Sequence, residues 1–371
     1  MSSPVFFDLA TTPTLYPFNV IRDESSLHYG VRSIANQWHD ALPTKHDCQI
    51  HPRLLPSAEV CARVAALGEN ERLVHGGIEV ACRGDGSGEA QELGGSGRLL
   101  TAAAELFERC GEGLMEDLPR LKRAWRLRTL QEEERVAWRE AGVIVHGDMD
   151  RVHLAPGAVL RDVTLNTERG DVVVGPDAEI MEGSRVRGPF ALGQGSSLRM
   201  GSLVYGPTTV GQGCKVGGEV SNAVFHDWSN KAHGGFLGNA VVGSWCNLGA
   251  ETTCSNLKNT YGPIAEWNAE SGTFESQGRT FCGLFLGDHS KTAIHTAFST
   301  ATVVGVMCNV FGTGTPPRHL PSFTWGVDAP QTHDVDRALA TASKAMARRN
   351  QALSPADEAR IRKAFEDVQR T

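Results

Sequence analysis

From residue 174 to residue 216 an aliphatic side chain recurs at every sixth position: Val174, Ile180, Val186, Leu192, Leu198, Val204, Val210 and Val216. A helix repeats at about 3.6 residues and a strand at about two, so neither explains this spacing. A parallel β-helix of hexapeptide repeats does. Each hexad supplies one short flat side, three hexads make a triangular turn, and the repeated aliphatic points into the prism. The register loosens through residues 221–235 and resumes at Val242, Leu248 and Cys254. It lapses over 259–282 and returns at Leu286, Thr292, Phe298, Val304 and Val310. An irregular first turn at 152–165 fits a capping turn. Roughly eight turns stacked at about 4.8 Å predict a prism about 40 Å long.

The flanking sequence follows other patterns. Residues 1–148 carry no six-residue register and read as mixed α/β. A short strand is expected at 5–9, helical spacing at 29–38, and a hairpin-like strand at 71–82. A Gly-rich loop is expected at 84–97, and helices at 99–108 and 121–139. Residues 149–326 are the predicted β-helix. Within it, Ala265, Glu266, Trp267 and Asn268, followed by Glu270 to Phe274, read as a hairpin arm leaving the prism over 259–282. Residues 327–371 read as two helices. One runs over 335–350; the other starts at Ser354-Pro355, with Ser as N-cap and Pro at the first helical position.

Composition narrows the class. The chain has 371 residues, enough for more than one domain, with 40% hydrophobic and 21% charged residues, as in ordinary globular proteins. A net charge of −7 argues against a nucleic-acid binder as a whole and leaves room for local basic pockets. The nine cysteines are odd in number and form no C-x-x-C pair, which argues against a disulfide framework or zinc site and fits a cytoplasmic protein. Neither a signal peptide nor an apolar run long enough for a membrane span is read.

The candidate chemistry lies where the register loosens. His233 sits in Asn230-Lys231-Ala232-His233-Gly234-Gly235-Phe236-Leu237-Gly238-Asn239. A neutral imidazole held between rigid turns suits a general base that takes a proton from an amine or hydroxyl. Segments 222–236 and 259–282 are expected to project from the prism. Flat faces with small or polar outward residues favour side-by-side packing, so a homotrimer is expected, with ligands in the clefts between prisms. His226 and His289 lie near the same turns and read as structural more readily than as assistants to the chemistry, and His295 is expected either to point inside the prism or to line a cleft.

These residues resemble a known family. His233, Leu237-Gly238, Gly249-Ala250 and Asn256 follow the order of H-x-x-Y-x-G-D, N-x-G-A-G-T and the later A/C-N of bifunctional sugar-1-phosphate nucleotidyltransferases/amino-sugar N-acetyltransferases. Gly249 to Lys258 and Gly287-Asp288-His289-Ser290-Lys291-Thr292 are similar to that family's G-A-G-T-x-x-x-N-L-[RK] and G-D-x-x-K-T. A bacterial group of sugar nucleotidyltransferases also resembles the chain at Ala178–Gly183, Lys215–Glu219, Ser229–Lys231 and Pro321–Trp325. The resemblance spans about residues 5–365 and is weaker at the N-terminus. It implies a left-handed parallel β-helix acyltransferase domain behind an α/β nucleotidyltransferase-like domain, serving nucleotide-sugar and cell-envelope precursor synthesis.

The resemblance also implies roles. His233 would be the general base, acetyl-CoA the donor, and an amino-sugar phosphate the acceptor. Backbone N–H groups of a neighbouring turn would meet the oxyanion. Asn247 and Asn256 would hold sugar hydroxyls or the acyl group, Lys258 and Lys291 the acceptor phosphate, and Ala250 and Gly312 would leave room for the pantetheine arm. Phe236 stands where the family has an acceptor tyrosine, Ser221-Asn222 where it has a phosphate-binding lysine, and Glu251 replaces a glycine.

At the N-terminus, Thr14-Leu15-Tyr16-Pro17-Phe18-Asn19 and Arg22-Asp23 resemble the R-L-x-P-L-T-x-x-R-P-K entry of nucleotidyltransferases. The preceding loop, residues 9–14, lacks the family's glycines, and Glu24 replaces its lysine. Arg22 remains a candidate phosphate contact. NTP and Mg²⁺ would be needed for nucleotidyl transfer, with Asp8 and Asp85 as metal candidates by chemistry alone. Two alternatives stand beside acyl transfer. One is nucleotidyl transfer with the β-helix as a trimerisation module; the other is a non-catalytic or carbonic-anhydrase-like β-helix.

Overall fold

The computed structural model describes residues 5–9, 12–42, 47–129 and 132–370. Residues 1–4, and Ala10 and Thr11 of the loop at 9–14, lie outside these.

From Ile144 onward the chain winds into a three-faced parallel β-helix, the winding expected of a left-handed hexapeptide prism. The first face stacks Val152–Leu154, Val172–Val174, Phe190–Leu192, Thr208–Val210, Leu284–Leu286, Thr302–Val304 and His319–Leu320. The second stacks Val159–Leu160, Glu179–Ile180, Ser197–Leu198, Lys215–Val216 and Asn230–Lys231, and resumes with Lys291–Thr292 and Asn309–Val310. The third carries Ile144–His146, Thr164–Asn166, Arg185–Arg187 and Leu203–Tyr205. Glu219–Phe225 and Phe236–Val242 run from the third face into the first without a break, turning at Asn222 and Asn239, both at positive φ.

All eight aliphatics of the sixfold register lie in one continuous core and are at most 3% exposed. Burying each contributes about 1.5–3 kcal/mol. In the regular part, strands pair eighteen residues apart, as Val174 with Leu192 and Leu192 with Val210.

The expected projecting loop at 222–236 is not there. Val210 pairs with Phe225 and Val216 with Lys231, in both cases fifteen residues on. This coil is shorter than its neighbours. The register loosened because residues are missing from a coil, not because a loop was inserted, and only 232–235 form an open corner. The arm at 259–282 does leave the prism, as the hairpin Ala265–Asn268 with Thr273–Ser276.

The N-terminal residues form a mixed five-stranded sheet, ordered Val5–Phe6, Cys48–Ile50, Ile78–Arg83, Arg72–His75, Ala90–Glu92. Helices α1 (Ile34–Ala41), α2 (Ala58–Ala65), α3 (Glu105–Glu108) and α4 (Cys110–Ala124) accompany it. Its apolar core includes Val224, Val241, Phe285 and Val303, the outward side chains of the first prism face. Leu114, Leu118 and Leu121 of α4 pack on Val173 and Ala191 of the same face. The N-terminal part therefore completes its core on the prism.

The helix expected at 121–139 is two helices, α4 and α5 (Glu132–Glu140), because the chain turns at Arg126, at positive φ, and pairs Arg128–Thr129 with the first coil. The helix expected at 99–108 is short, confined to α3. The tail forms α6 (Val335–Ala347) and α7 (Pro355–Arg370), and the Asp357 N–H donates to the Ser354 hydroxyl as its cap. Both helices pack on Val306, Met307 and Phe323 of their own chain.

Strand direction reverses on one face at each end of the prism. Arg128–Thr129 lies antiparallel on Val152–Leu154, and Gln331–Thr332 lies antiparallel on Thr324–Trp325.

Candidate active site on the corner between the second and third faces

His233 is exposed on the corner between the second and third faces, in the short coil. Its backbone is fixed from inside. Lys231 occupies the inward position next after Val216, where the pattern would place an aliphatic, and is 1% exposed. Its ammonium donates to the carbonyl oxygens of Gly217 at 3.0 Å, His233 at 3.1 Å and Gly234 at 3.2 Å. All three of its donors are used. The turn is also hemmed from outside. Gly235 has φ +97, and a Cβ there would lie 2.2 Å from the Thr252 carbonyl oxygen, so only glycine fits. The Glu251 carboxylate lies directly over Gly234.

Burial pushes the Lys231 pKa down to about 8, against the pull of Glu251. An unfolded lysine titrates near 10.4. Between about pH 8 and that value the unfolded state binds the extra proton, so the Lys231 contribution raises stability as pH rises. The buried cysteines act in the opposite sense, because burial pushes their thiols up, Cys61 and Cys82 to about 11. Comparison with Lys231→Met isolates the lysine. The melting temperature of wild type minus that of the variant is expected to increase across this window; a difference independent of pH would refute the assignment.

The other residues expected at the site divide into three groups. Ala250, Ile294 and Gly312 follow His233 in register on the same corner in later coils, Ile294 being exposed, and the His295 N–H donates to the Ala250 carbonyl. Three coils separate His233 from Gly312, about 14 Å at the usual strand spacing. On the third face, Phe236 and Asn256 converge. The Asn256 amide donates to Asn239 Oδ1 at 2.8 Å, and both the Phe236 ring and that amide lie against Gly238. Asn247 and Lys291 are neighbours on the second face, where Asn247 bridges Lys291 on one side and Asn230 on the other. They line a cavity of about 290 Å³ with Trp228, Trp245, Arg348 and Arg349. Burial lowers the Lys291 pKa, and its ammonium donates to the His289 carbonyl.

Lys258 stands apart, donating to the Pro263 carbonyl at 2.6 Å at the base of the arm. Arg22 is far from His233 in the fold and forms a two-pronged ion pair with Asp288; its Nε donates to Oδ2 at 2.6 Å. Arg22 and Asp8 do line one cavity, with Asp23 and Glu24. Of these carboxylates, Asp23 faces Arg360 and Glu24 faces Arg53, while Asp85 closes its own turn by accepting from Ser87 N–H. Among the described residues no group of three His, Cys, Asp or Glu converges as metal ligands. The residues present do not fit a Mg²⁺ site.

His226 and His289 are structural. His226 Nδ1 donates to the Val242 carbonyl, its Nε2 accepts from the His28 N–H, and burial holds its pKa well below the usual value. Burial and the nearby Lys291 and Arg22 lower His289 to about 3, and it stacks on Trp245, which stacks on Trp228. All nine cysteines are buried free thiols. Lys231 was legible as a lysine in an aliphatic slot, had the short coil been recognised. Arg348 and Arg349 give no local signal, since only packing of the tail brings them to the second face.

Fold and site together define a parallel β-helix of hexapeptide type with a histidine on one corner. No family model matches the chain. No curated protein matches it. Among solved structures, the polySia specific acetyltransferase NeuO is similar at 8% identity over 52% of this chain and 85% of its own, with TM-score 0.30. Arabidopsis UDP-N-acetylglucosamine acyltransferase is similar at 14% identity over 62% and 89%, with TM-score 0.22. AntD, an N-acyltransferase from Bacillus cereus solved with dTDP and 3-hydroxybutyryl-CoA, is similar at 10% identity over 55% and 88%, with TM-score 0.21. Identities and scores at this level carry no activity over to this chain. Among the described residues no helix is long and apolar enough to cross a membrane.

Proposed function

We propose that the protein is an acyltransferase that moves an acetyl group from acetyl-CoA to the amine of an amino-sugar phosphate. The observation that carries the reading is the corner column. An exposed His233 is held rigid by Lys231 and glycines, and Ala250, the exposed Ile294 and Gly312 stand in line above it, an apolar column.

In the proposed reaction the acceptor nitrogen attacks the thioester carbonyl and His233 takes its proton. The C–S bond breaks as the new C–N bond is completed, and the CoA thiolate leaves and is protonated. Backbone N–H groups of the adjoining turn would stabilise the oxyanion. The column above His233 gives an extended pantetheine chain a narrow track. Phe236 and Asn256 on one side, and Asn247 and Lys291 on the other, offer an apolar contact, amides and a cation to the sugar phosphate.

A homotrimer remains part of the proposal. The first face is covered by the chain's own N-terminal part, so assembly would use the third face and the part of the second that the tail leaves open. Exposed Ile144, Leu203 and Tyr205 on the third face support this. Nucleotidyl transfer from NTP and Mg²⁺ is not part of the proposal, because Arg22 is committed to Asp288, Asp23 and Glu24 face arginines, and no set of metal ligands converges among the described residues.

The test is free-thiol release from acetyl-CoA across a series of amino-sugar phosphates, beginning with glucosamine 1-phosphate. Release that requires the acceptor is the expected result. Absence of acceptor-dependent release with every member would sink the reading.

A further inference from the structure

The cleft between the second face and the end of α6 collects positive charge that no ion pair among the described residues neutralises. Lys291 enters from the prism; Arg348 and Arg349 enter from the tail. Lys215 lies close by on the second face, and its pKa is lowered first by Arg349, with burial, Arg199 and Arg348 adding. No carboxylate lines the cleft, although the chain carries a net charge of −7. Among the described residues, the hydrogen-bond partners of the cleft's cations are neutral. Arg349 donates to Asn230 Oδ1 at 3.0 Å, and Lys291 donates to the His289 carbonyl at 2.9 Å.

Like charges gathered in a half-buried cleft repel one another. The negative end of α6 favours arginines at its terminus, which accounts for Arg348 and Arg349 but not for Lys215 or Lys291. Asn230 and Asn247 add amide donors on the same wall. A phosphate group satisfies all of these features: it supplies the missing charge and accepts hydrogen bonds from guanidinium, ammonium and amide together. The tryptophans offer only edges, since Trp228 and Trp245 stack on each other and Trp245 stacks again on His289.

We infer that this cleft is a binding site for a phosphomonoester or diphosphate group, closed over the second face by Arg348 and Arg349 of the C-terminal tail. The cleft stands on its own charge pattern. Its assignment to a substrate of the acyl-transfer reaction rests on the function proposed above.

Pyrophosphate is the first probe, titrated into the full-length protein by calorimetry. Saturable binding that weakens with added salt is expected. Arg348→Gln with Arg349→Gln should weaken it by about tenfold or more, a difference of about 1.4 kcal/mol. Arg337→Gln with Lys363→Gln, which removes the same two charges from α6 and α7 at positions outside the cleft lining, should leave it unaltered. Competition then separates the sources. Displacement by adenosine 3′,5′-bisphosphate assigns the cleft to the donor's phosphates, and displacement by glucosamine 1-phosphate to the acceptor's. Displacement by neither overturns the assignment to a substrate. Absence of pyrophosphate binding, or equal weakening by the Arg337→Gln, Lys363→Gln pair, overturns the site itself. Because binding is read without turnover, failure of acyl transfer would leave this result standing.

Discussion

Replacing His233 with alanine is expected to lower kcat/KM for acyl transfer by about 10²–10⁴-fold, the range for removal of a general base. Thermal stability should stay at the wild-type level. The side chain is exposed, and the corner is held by bonds to its backbone carbonyl from Lys231, which the substitution leaves in place. Comparing steady-state kinetics with the melting temperature separates the two effects. A variant that keeps the full rate would show that His233 is a solvated corner residue. A variant that melts much earlier would show that its role is architectural.

Replacing Arg22 with alanine should act on stability instead. The Arg22 and Asp288 side chains are 13% and 6% exposed, and Asp288 Oδ1 also accepts the Ser244 N–H at 2.8 Å. Removing one partner of a buried pair leaves an uncompensated charge, at a cost of about 3–5 kcal/mol. Arg22→Lys should rescue only part of this, because a single ammonium cannot reproduce the two-pronged contact. Denaturant unfolding would measure the loss. If Arg22 instead held a substrate phosphate, the variant would raise KM and leave the unfolding midpoint where it was.

The pair also marks the limit of what the sequence could tell. The repeat was readable because a prism imposes one inward position per hexad, and Val174 to Val216 obey it without exception. The arm was readable because Glu266 to Phe274 breaks that period with a strand pattern of its own. Arg22 was read as a ligand contact from its local motif, whereas its partner lies 266 residues away. The gap at 222–236 was read as an insertion because a lost register looks the same whether residues are added or removed. Only the pairing of Val216 with Lys231 distinguishes the two. His233 was visible by chemistry. Its supporting lysine, and the arginines that α6 delivers to the second face, depend on contacts that no local pattern encodes.

The reversal of strand direction at each end of the prism has a consequence for the molecule as matter in solution. A stack of identical coils has no intrinsic length. Its terminal backbone groups repeat the spacing of every coil below them, so a second copy could continue the ladder indefinitely, as in a fibril. Here Arg128–Thr129 and Gln331–Thr332 run against the coils they cover. An incoming parallel coil finds the wrong polarity at those strands. Two short segments outside the repeat thus interrupt, on one face at each end, the ladder along which such a stack would otherwise grow.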